Sequence, residues 1–252
     1  MIIVDRHVPA GEPPGATVIS GHGLDPEPSS SLPALRSIGG LVPVTDLLWL
    51  AVIVLIDDMA DIGRFEEMSE AGRRYGITRL RKIATLVNGP RRSASGDATA
   101  ALALLMKYKG PDEVLSGEHP ETALLSAARD EVRAELEAAR RVPPKLSGKV
   151  ALIWIASRAQ IQPLLAQAWT SRLRGRIVLT ANSGYRPGWI YFAARSADDI
   201  DLVAFLAAHA PPSTDELYGS GHRRATGGAL RARDWNVVVR ELGFEAAEEV
   251  PD

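Results

Sequence analysis

The spacing of apolar residues divides the chain into stretches of different period. It opens on a short β-branched run, MIIV, followed by DRH and the Pro/Gly-rich GEPPG, which predicts a strand running into a loop. Residues 22–31, HGLDPEPSSS, are polar and turn-forming and predict a further loop. The most apolar run, LLWLAVIVLI from Leu47 to Ile56, has only ten residues, too few to span a bilayer. It predicts a buried helix from Asp46 to Asp61, ending in the acidic cluster DDMAD. The middle of the chain has helical spacing. In GDATAALALLMKYKG, Asp97 is a candidate N-cap and Gly110 a stop. A longer helix starts at Pro120 and is stopped by Pro143 and Pro144, with Leu125, Val132 and Leu136 forming one apolar stripe.

After PPKLSG the period changes. KVALIWIA (149–156), RIVLTAN (176–182) and WIYFAARS (189–196) read as strands. PLLAQAWTSRL and DIDLVAFLAAH, after the first and third of them, read as helices. This pattern predicts a second α/β domain from about residue 146.

Composition narrows the chemistry. With 29 basic and 31 acidic residues the net charge is −2, so no overall basic field draws in nucleic acid and any such binding must be local. The absence of cysteine excludes disulfide frameworks, thiolate zinc sites and cysteine nucleophiles. The first residues lack a basic segment followed by a long apolar one; a cytoplasmic location is the default expectation, with no membrane partner.

Two groups of residues could carry chemistry. In YGSGHRRATGG, from Tyr218, glycines surround a His and two Arg, and from Gly219 to Arg240 five Arg stand against the single acid Asp234. Backbone N–H groups, His222, Arg223 and Arg224 suit phosphate oxygens, since a guanidinium grips them as a fork. A glycine-rich turn with solvated arginines accounts for the same letters. Arg195 and Ser196, at the end of a strand-like run, could lie beside this stretch. The second group is Asp5 and His7 with Asp57, Asp58 and Asp61, a donor set of the kind that hard divalent cations take. Helix capping and surface loops account for these too. His22, His119 and His209 are isolated, and Ser29 to Ser31 have no local base to activate them.

In order, VDRH, PSSS, DLLWLAVIVLIDDMAD, a helical connector, RS and GSGHRRATGG resemble the DHH phosphoesterase superfamily with its C-terminal DHH-associated domain. The RecJ-type single-stranded-DNA exonucleases are its nearest well-known members. The likeness runs through nearly the whole chain and is most specific where RS precedes GSGHRRATGG, which looks like the family's G-x-G-H substrate motif. It implies an α/β protein made of three parts. These are the remnant of a parallel-sheet DHH domain over 1–70, a helical connector over 71–145, and a smaller substrate-binding domain over 146–252. It further implies a hydrolase that cleaves phosphodiesters or phosphomonoesters with Mn2+, and single-stranded nucleic acid or a nucleotide as partner. By position, Asp5 resembles the Asp of the family's triplet and His7 its second His, the two catalytic candidates. Asp58, with Asp61 as fallback, resembles a later metal-binding Asp. Arg195, Ser196, Gly219, Gly221, His222, Arg223, Gly227 and Gly228 resemble the substrate-binding set.

Two departures bear on activity. Arg6 stands where the family has a metal-binding His, and a guanidinium offers no lone pair to a metal. The strand leading into the triplet begins the chain, so the D-x-D that supplies most carboxylates to the metals is not among these residues. Arg6 is expected to pair with Asp5 or Asp58 in place of an ion. The chain therefore reads either as a phosphoesterase whose other ligands lie elsewhere, or as a non-catalytic module that keeps only the phosphate-binding part.

Overall fold

The computed structural model describes residues 1–6, 13–58, 65–212, 214 and 218–244. The protein is a mixed α/β molecule whose chain divides into two compact units, Met1–Arg91 with Asp97–Arg129, and Arg92–Gly96 with Asp130–Asp252.

The first unit opens with β1 (Ile2–Asp5), which pairs in parallel with β2 (Thr17–Ser20), Ile2 opposite Thr17 and Asp5 opposite Ser20. The helices α1 (Ser31–Gly39), α2 (Leu48–Asp57), α3 (Glu66–Tyr75), α4 (Ile77–Arg92), α5 (Thr99–Lys107), α6 (Pro111–Leu115) and α7 (Pro120–Ala139) follow, the part of α7 from Asp130 onward belonging to the second unit. The apolar run from Leu47 forms α2, and because it is apolar on nearly every side it lies inside the unit. Trp49, Val52, Ile53 and Leu55 are buried there with Leu32, Leu80, Ile83, Leu104 and Leu125. Residues of the segment predicted as a connector thus belong to the same core as α2.

Local chemistry fixes the helix ends. Gly76, at φ 82, closes α3 by returning its N–H to the Gly72 carbonyl. Glu66 and Glu67 at the start of α3 and Arg73 and Arg74 at its end suit the helix dipole. The helix α5 starts at Thr99 with Ala98 as its cap residue, one place beyond the predicted Asp97; the Asp97 carboxylate takes the Thr99 N–H at 2.9 Å. The serine-rich stretch ends in a helix rather than a loop: Ser31 begins α1, and its hydroxyl donates to the Ala51 carbonyl on α2.

The second unit holds a six-stranded sheet. Its strands are β3 (Lys145–Ser147), β4 (Val150–Ile155), β5 (Ile177–Asn182), β6 (Trp189–Arg195), β7 (Ser220–His222) and β8 (Ala225–Arg231), in the spatial order β3-β4-β5-β6-β8-β7. Only β4 and β5 are parallel, joined through α8 (Gln162–Thr170). Val150–Ile155 and Ile177–Asn182 are almost wholly buried, as strands covered on both faces must be. On one face Leu152, Leu179, Phe192 and Leu230 pack with α9 (Leu202–Ala208) and α10 (Ala232–Glu241). On the other, Ile153, Ile155, Val178 and Ala193 pack with Leu165 and Ala166 of α8 and Val132 and Ala139 of α7.

Among the described residues no helix is long and apolar enough to cross a membrane.

Candidate functional site

In the first unit, Asp5 ends β1 and its carboxylate accepts the N–H of Arg6 at 2.7 Å. The Arg6 guanidinium lies 3.3 Å from Asp58 Oδ1, both side chains largely shielded from solvent. Asp58 follows the last residue of α2 and returns its N–H to the Val54 carbonyl. The neighbouring Asp57 is paired with Arg91 at 3.2 Å. A helix C-terminus is its negative end, so two successive carboxylates there repel the helix dipole unless cations face them. Arg6 and Arg91 supply those cations. His7 and Asp61 lie outside the described residues.

This arrangement bears directly on a divalent cation. Asp58 faces a fixed positive charge at ion-pair distance, and Asp5 holds a backbone N–H. Among the described residues no three His, Asp or Glu side chains converge so as to hold a metal. Of the candidate ligands, Asp5 and Asp58 are described, and an arginine faces Asp58 at ion-pair distance.

In the second unit the glycine-rich stretch is a β-hairpin rather than an open loop. β7 and β8 pair antiparallel, with Ser220 opposite Gly227 and His222 opposite Ala225. Arg223 and Arg224 form its two-residue turn. The turn is tied to the next elements: Leu202 donates its N–H to the Arg223 carbonyl at 2.7 Å, and Ser196 to that of Arg224 at 3.4 Å. The two guanidiniums face acids. Arg223 is 3.4 Å from Asp201, which also caps α9 by accepting the Ala204 N–H, and Arg224 is 3.7 Å from Asp199. Both arginines are about 64% and 63% exposed, so these are weak surface pairs that an anion could displace. Arg223 and Arg224 thus face Asp199 and Asp201, acids distant in sequence.

The strand register brings other candidates together. Arg195 lies opposite Ala225 on β6, and His222 lies opposite Ala225 on β7. Arg195 and His222 therefore flank one alanine on the same face of the sheet, about 10 Å apart across two strand spacings. That face continues along Ala193 and Gly227, then Tyr191 and Ala229, then Trp189 and Arg231. The alternate residues Thr226 and Leu230 are buried on the other side; on this face Ala225, Gly227 and Ala229 are partly covered, and Ala193 is buried beneath α8 and α7. Ser196 is buried in the turn after β6, its hydroxyl donating to the Arg176 carbonyl and accepting the Asp198 N–H.

No protein-family model and no curated protein matches the sequence. Among solved structures, the chain is similar to a pGpG-specific phosphodiesterase from Vibrio cholerae. The likeness has 14% identity over 92% of this chain and 80% of that one, with a TM-score of 0.47. At that identity and score it assigns no substrate or chemistry to the present chain.

The glycines have local duties. Gly221 has φ 145, and a Cβ there would lie 2.6 Å from the Ala225 carbonyl oxygen. A Cβ on Gly227 would lie 2.5 Å from the Phe192 carbonyl oxygen. Both are glycine because neighbouring strands approach them closely. Gly228 lies opposite Phe192, and Gly219 donates its N–H to the Gly227 carbonyl. The isolated histidines have local partners: His22 meets Glu27, His119 stacks on Tyr108, and His209 Nδ1 meets the Phe205 carbonyl.

Proposed function

We propose that this chain recognises a phosphoester of a nucleotide or single-stranded nucleic acid and does not hydrolyse it, a DHH-type protein in which an ion pair stands in place of the metal centre. The observation that carries this reading is the Arg6–Asp58 pair at 3.3 Å. Metal-assisted hydrolysis needs a cation held by several carboxylate or imidazole donors so that bound water ionises near neutral pH. A guanidinium neutralises the same carboxylate, yet has no vacant position for water and no lone pair for a metal. Asp58 then stabilises the end of α2 rather than a hydroxide.

Phosphate recognition is assigned to the second unit. Arg195 and His222 face the same way across Ala225, and the order RS then GSGHRRATGG resembles the family's substrate-binding elements. Arg195 supplies a planar fork for phosphate oxygens, and His222 a ring N–H donor.

The test combines turnover with binding. Bis(p-nitrophenyl) phosphate and a 5′-phosphorylated oligodeoxynucleotide are incubated with the protein, with and without Mn2+. The expected turnover equals the buffer rate in both cases. Calorimetry on the same oligonucleotide is expected to show binding that His222→Ala or Arg195→Ala weakens about tenfold or more, the loss of a charge-assisted hydrogen bond. Mn2+-dependent cleavage abolished by Asp58→Asn would overturn the non-catalytic reading. Equal affinity of His222→Ala and the parent would overturn the phosphate assignment.

A further inference from the structure

Charge is unevenly placed along the chain. From residue 138 to residue 197 the sequence has no Asp or Glu and ten Lys or Arg, although the whole chain carries −2. Several of these cations meet at one end of the six-stranded sheet. Lys149 is in the turn between β3 and β4, and Arg172, Arg174 and Arg176 are in the connection from α8 to β5. The two segments are neighbours: Arg176 Nη1 donates to the Gly148 carbonyl at 2.8 Å, and Ile177 donates its N–H to the Lys149 carbonyl at 2.8 Å. Arg195 closes β6 at the same end of the sheet, opposite Val178, and the Ser196 hydroxyl donates to the Arg176 carbonyl. Lys149, Arg172 and Arg174 are exposed and make no ion pair among the described residues. The acid at this end, Asp198, accepts the Gly175 N–H at 2.7 Å.

The last described residues lead to this cluster. Phe244 is buried and donates its N–H to the Val239 carbonyl, and the Gly243 carbonyl accepts the Ser147 hydroxyl of β3 at 3.2 Å, two residues before Lys149. Residues 245–252, EAAEEVPD, lie outside the described residues and carry four acids and no base. We infer that this acidic segment docks on the basic end of the sheet and there competes with an anion for Arg195. The docking follows from charge, reach and tethering. Glu245, Glu248, Glu249 and Asp252 match Lys149, Arg172, Arg174 and Arg176 in number and oppose them in sign. From β3 the sheet end crosses two strand spacings to β5, about 10 Å, and three to β6, about 15 Å, whereas eight extended residues span about 26 Å. Exposed ion pairs are weak between separate molecules, but a segment joined to the chain beside its site is present there at an effective concentration on the order of millimolar. A separate acidic protein would meet the same cations, yet this segment is already held next to them. The competition for Arg195 rests on the phosphate assignment made above; the docking does not.

The experiment reads the segment directly. The chain has no cysteine, so Val250→Cys gives a single attachment point for a nitroxide and leaves all four acids in place. In the isotope-labelled full chain at low salt, the amide signals of Lys149, Val150 and residues 172–177 are expected to broaden. Salt of about 1 M, where the Debye length is about 3 Å, is expected to sharpen them again. Arg172→Gln with Arg174→Gln should do the same at low salt while the signals of β4 and β5 keep their positions. Signals that stay sharp at low salt, broadening centred elsewhere, or broadening that high salt leaves unchanged would overturn the docking. So would broadening of the isotope-labelled chain by a nitroxide carried only on a second copy, which would mean exchange between molecules. The competition has its own readout. Glu245→Gln, Glu248→Gln, Glu249→Gln and Asp252→Asn together should raise the affinity for the phosphorylated oligodeoxynucleotide about threefold to tenfold, the order expected of several exposed ion pairs. Unchanged affinity with the broadening intact would overturn the competition and leave the docking. Sharp signals together with binding that Arg195→Ala weakens would remove the docking and leave the phosphate assignment standing.

Discussion

Tyr218 shows how a single side chain couples the glycine-rich hairpin to its surroundings. Its ring packs against Phe192 at 5.6 Å, and its hydroxyl donates to the Leu206 carbonyl at 3.2 Å and the His209 carbonyl at 3.4 Å. Burial, reinforced by the charge of Glu241, pushes its pKa from 10.0 up to about 12. A phenol with a raised folded-state value titrates first in the unfolded chain. Its contribution to stability is therefore complete below pH 10 and is lost as the pH rises from about 10 towards 12. After discounting for partial exposure the loss is on the order of 1–2 kcal/mol. Tyr218→Phe should be somewhat less stable at neutral pH and lose less between pH 10 and 12; urea denaturation across that range checks it, and parallel curves for the two proteins would refute it. Residue-scale reading of the sequence succeeded where charge alone decides. Arg6 was expected to pair with Asp5 or Asp58, and it pairs with Asp58 while Asp5 takes its backbone N–H. The choice between them depends on where α2 ends, which no local pattern states.

Among the elements, those with strong periodicity were legible and those built on glycine were not. The strands β4, β5 and β6 follow β-branched and aromatic runs, and α2 and α7 follow long apolar patterns. By contrast β8, with the sequence ATGGALR, has no run of large apolar residues, so the glycines of this hairpin suggested a ligand loop although Gly221 and Gly227 serve close strand packing. The acids that neutralise Arg223 and Arg224 come from the turn before α9, a contact that only the sheet order creates. The same substitution should therefore have opposite signs in two elements. Gly227→Ala places a methyl 2.5 Å from the Phe192 carbonyl oxygen, backbone that cannot swing aside, and should cost about 1–3 kcal/mol. Gly72→Ala falls inside α3 with nothing within 4 Å of the new methyl, and should stabilise by about 0.5–1 kcal/mol through helix propensity. Thermal denaturation of the two variants decides it, and a stabilising Gly227→Ala would mean that β6 and β8 are not packed this closely.

For the molecule as a whole, the net charge of −2 sets how the proposed ligand is held. Without a broad basic field, attraction is confined to a few guanidiniums, and those of Arg223 and Arg224 already face Asp199 and Asp201. Each phosphate neutralised in a single strand contributes a slope of about −0.7 to the logarithm of affinity against that of salt concentration. If Arg195 and His222 are the contacts, one or two phosphates are engaged and the expected slope is roughly −1. With so shallow a slope, much of the affinity should survive at high salt. Because the Arg6–Asp58 pair requires no ion, the affinity should be the same in Mn2+ and in chelator at equal ionic strength. Titrations of a phosphorylated pentaadenylate between 50 and 300 mM salt, repeated with and without Mn2+, measure both quantities. A slope of about −5 or steeper would mean that a wider basic surface carries the ligand, and binding that requires Mn2+ would mean that a metal, not the arginines, bridges the phosphate to the protein.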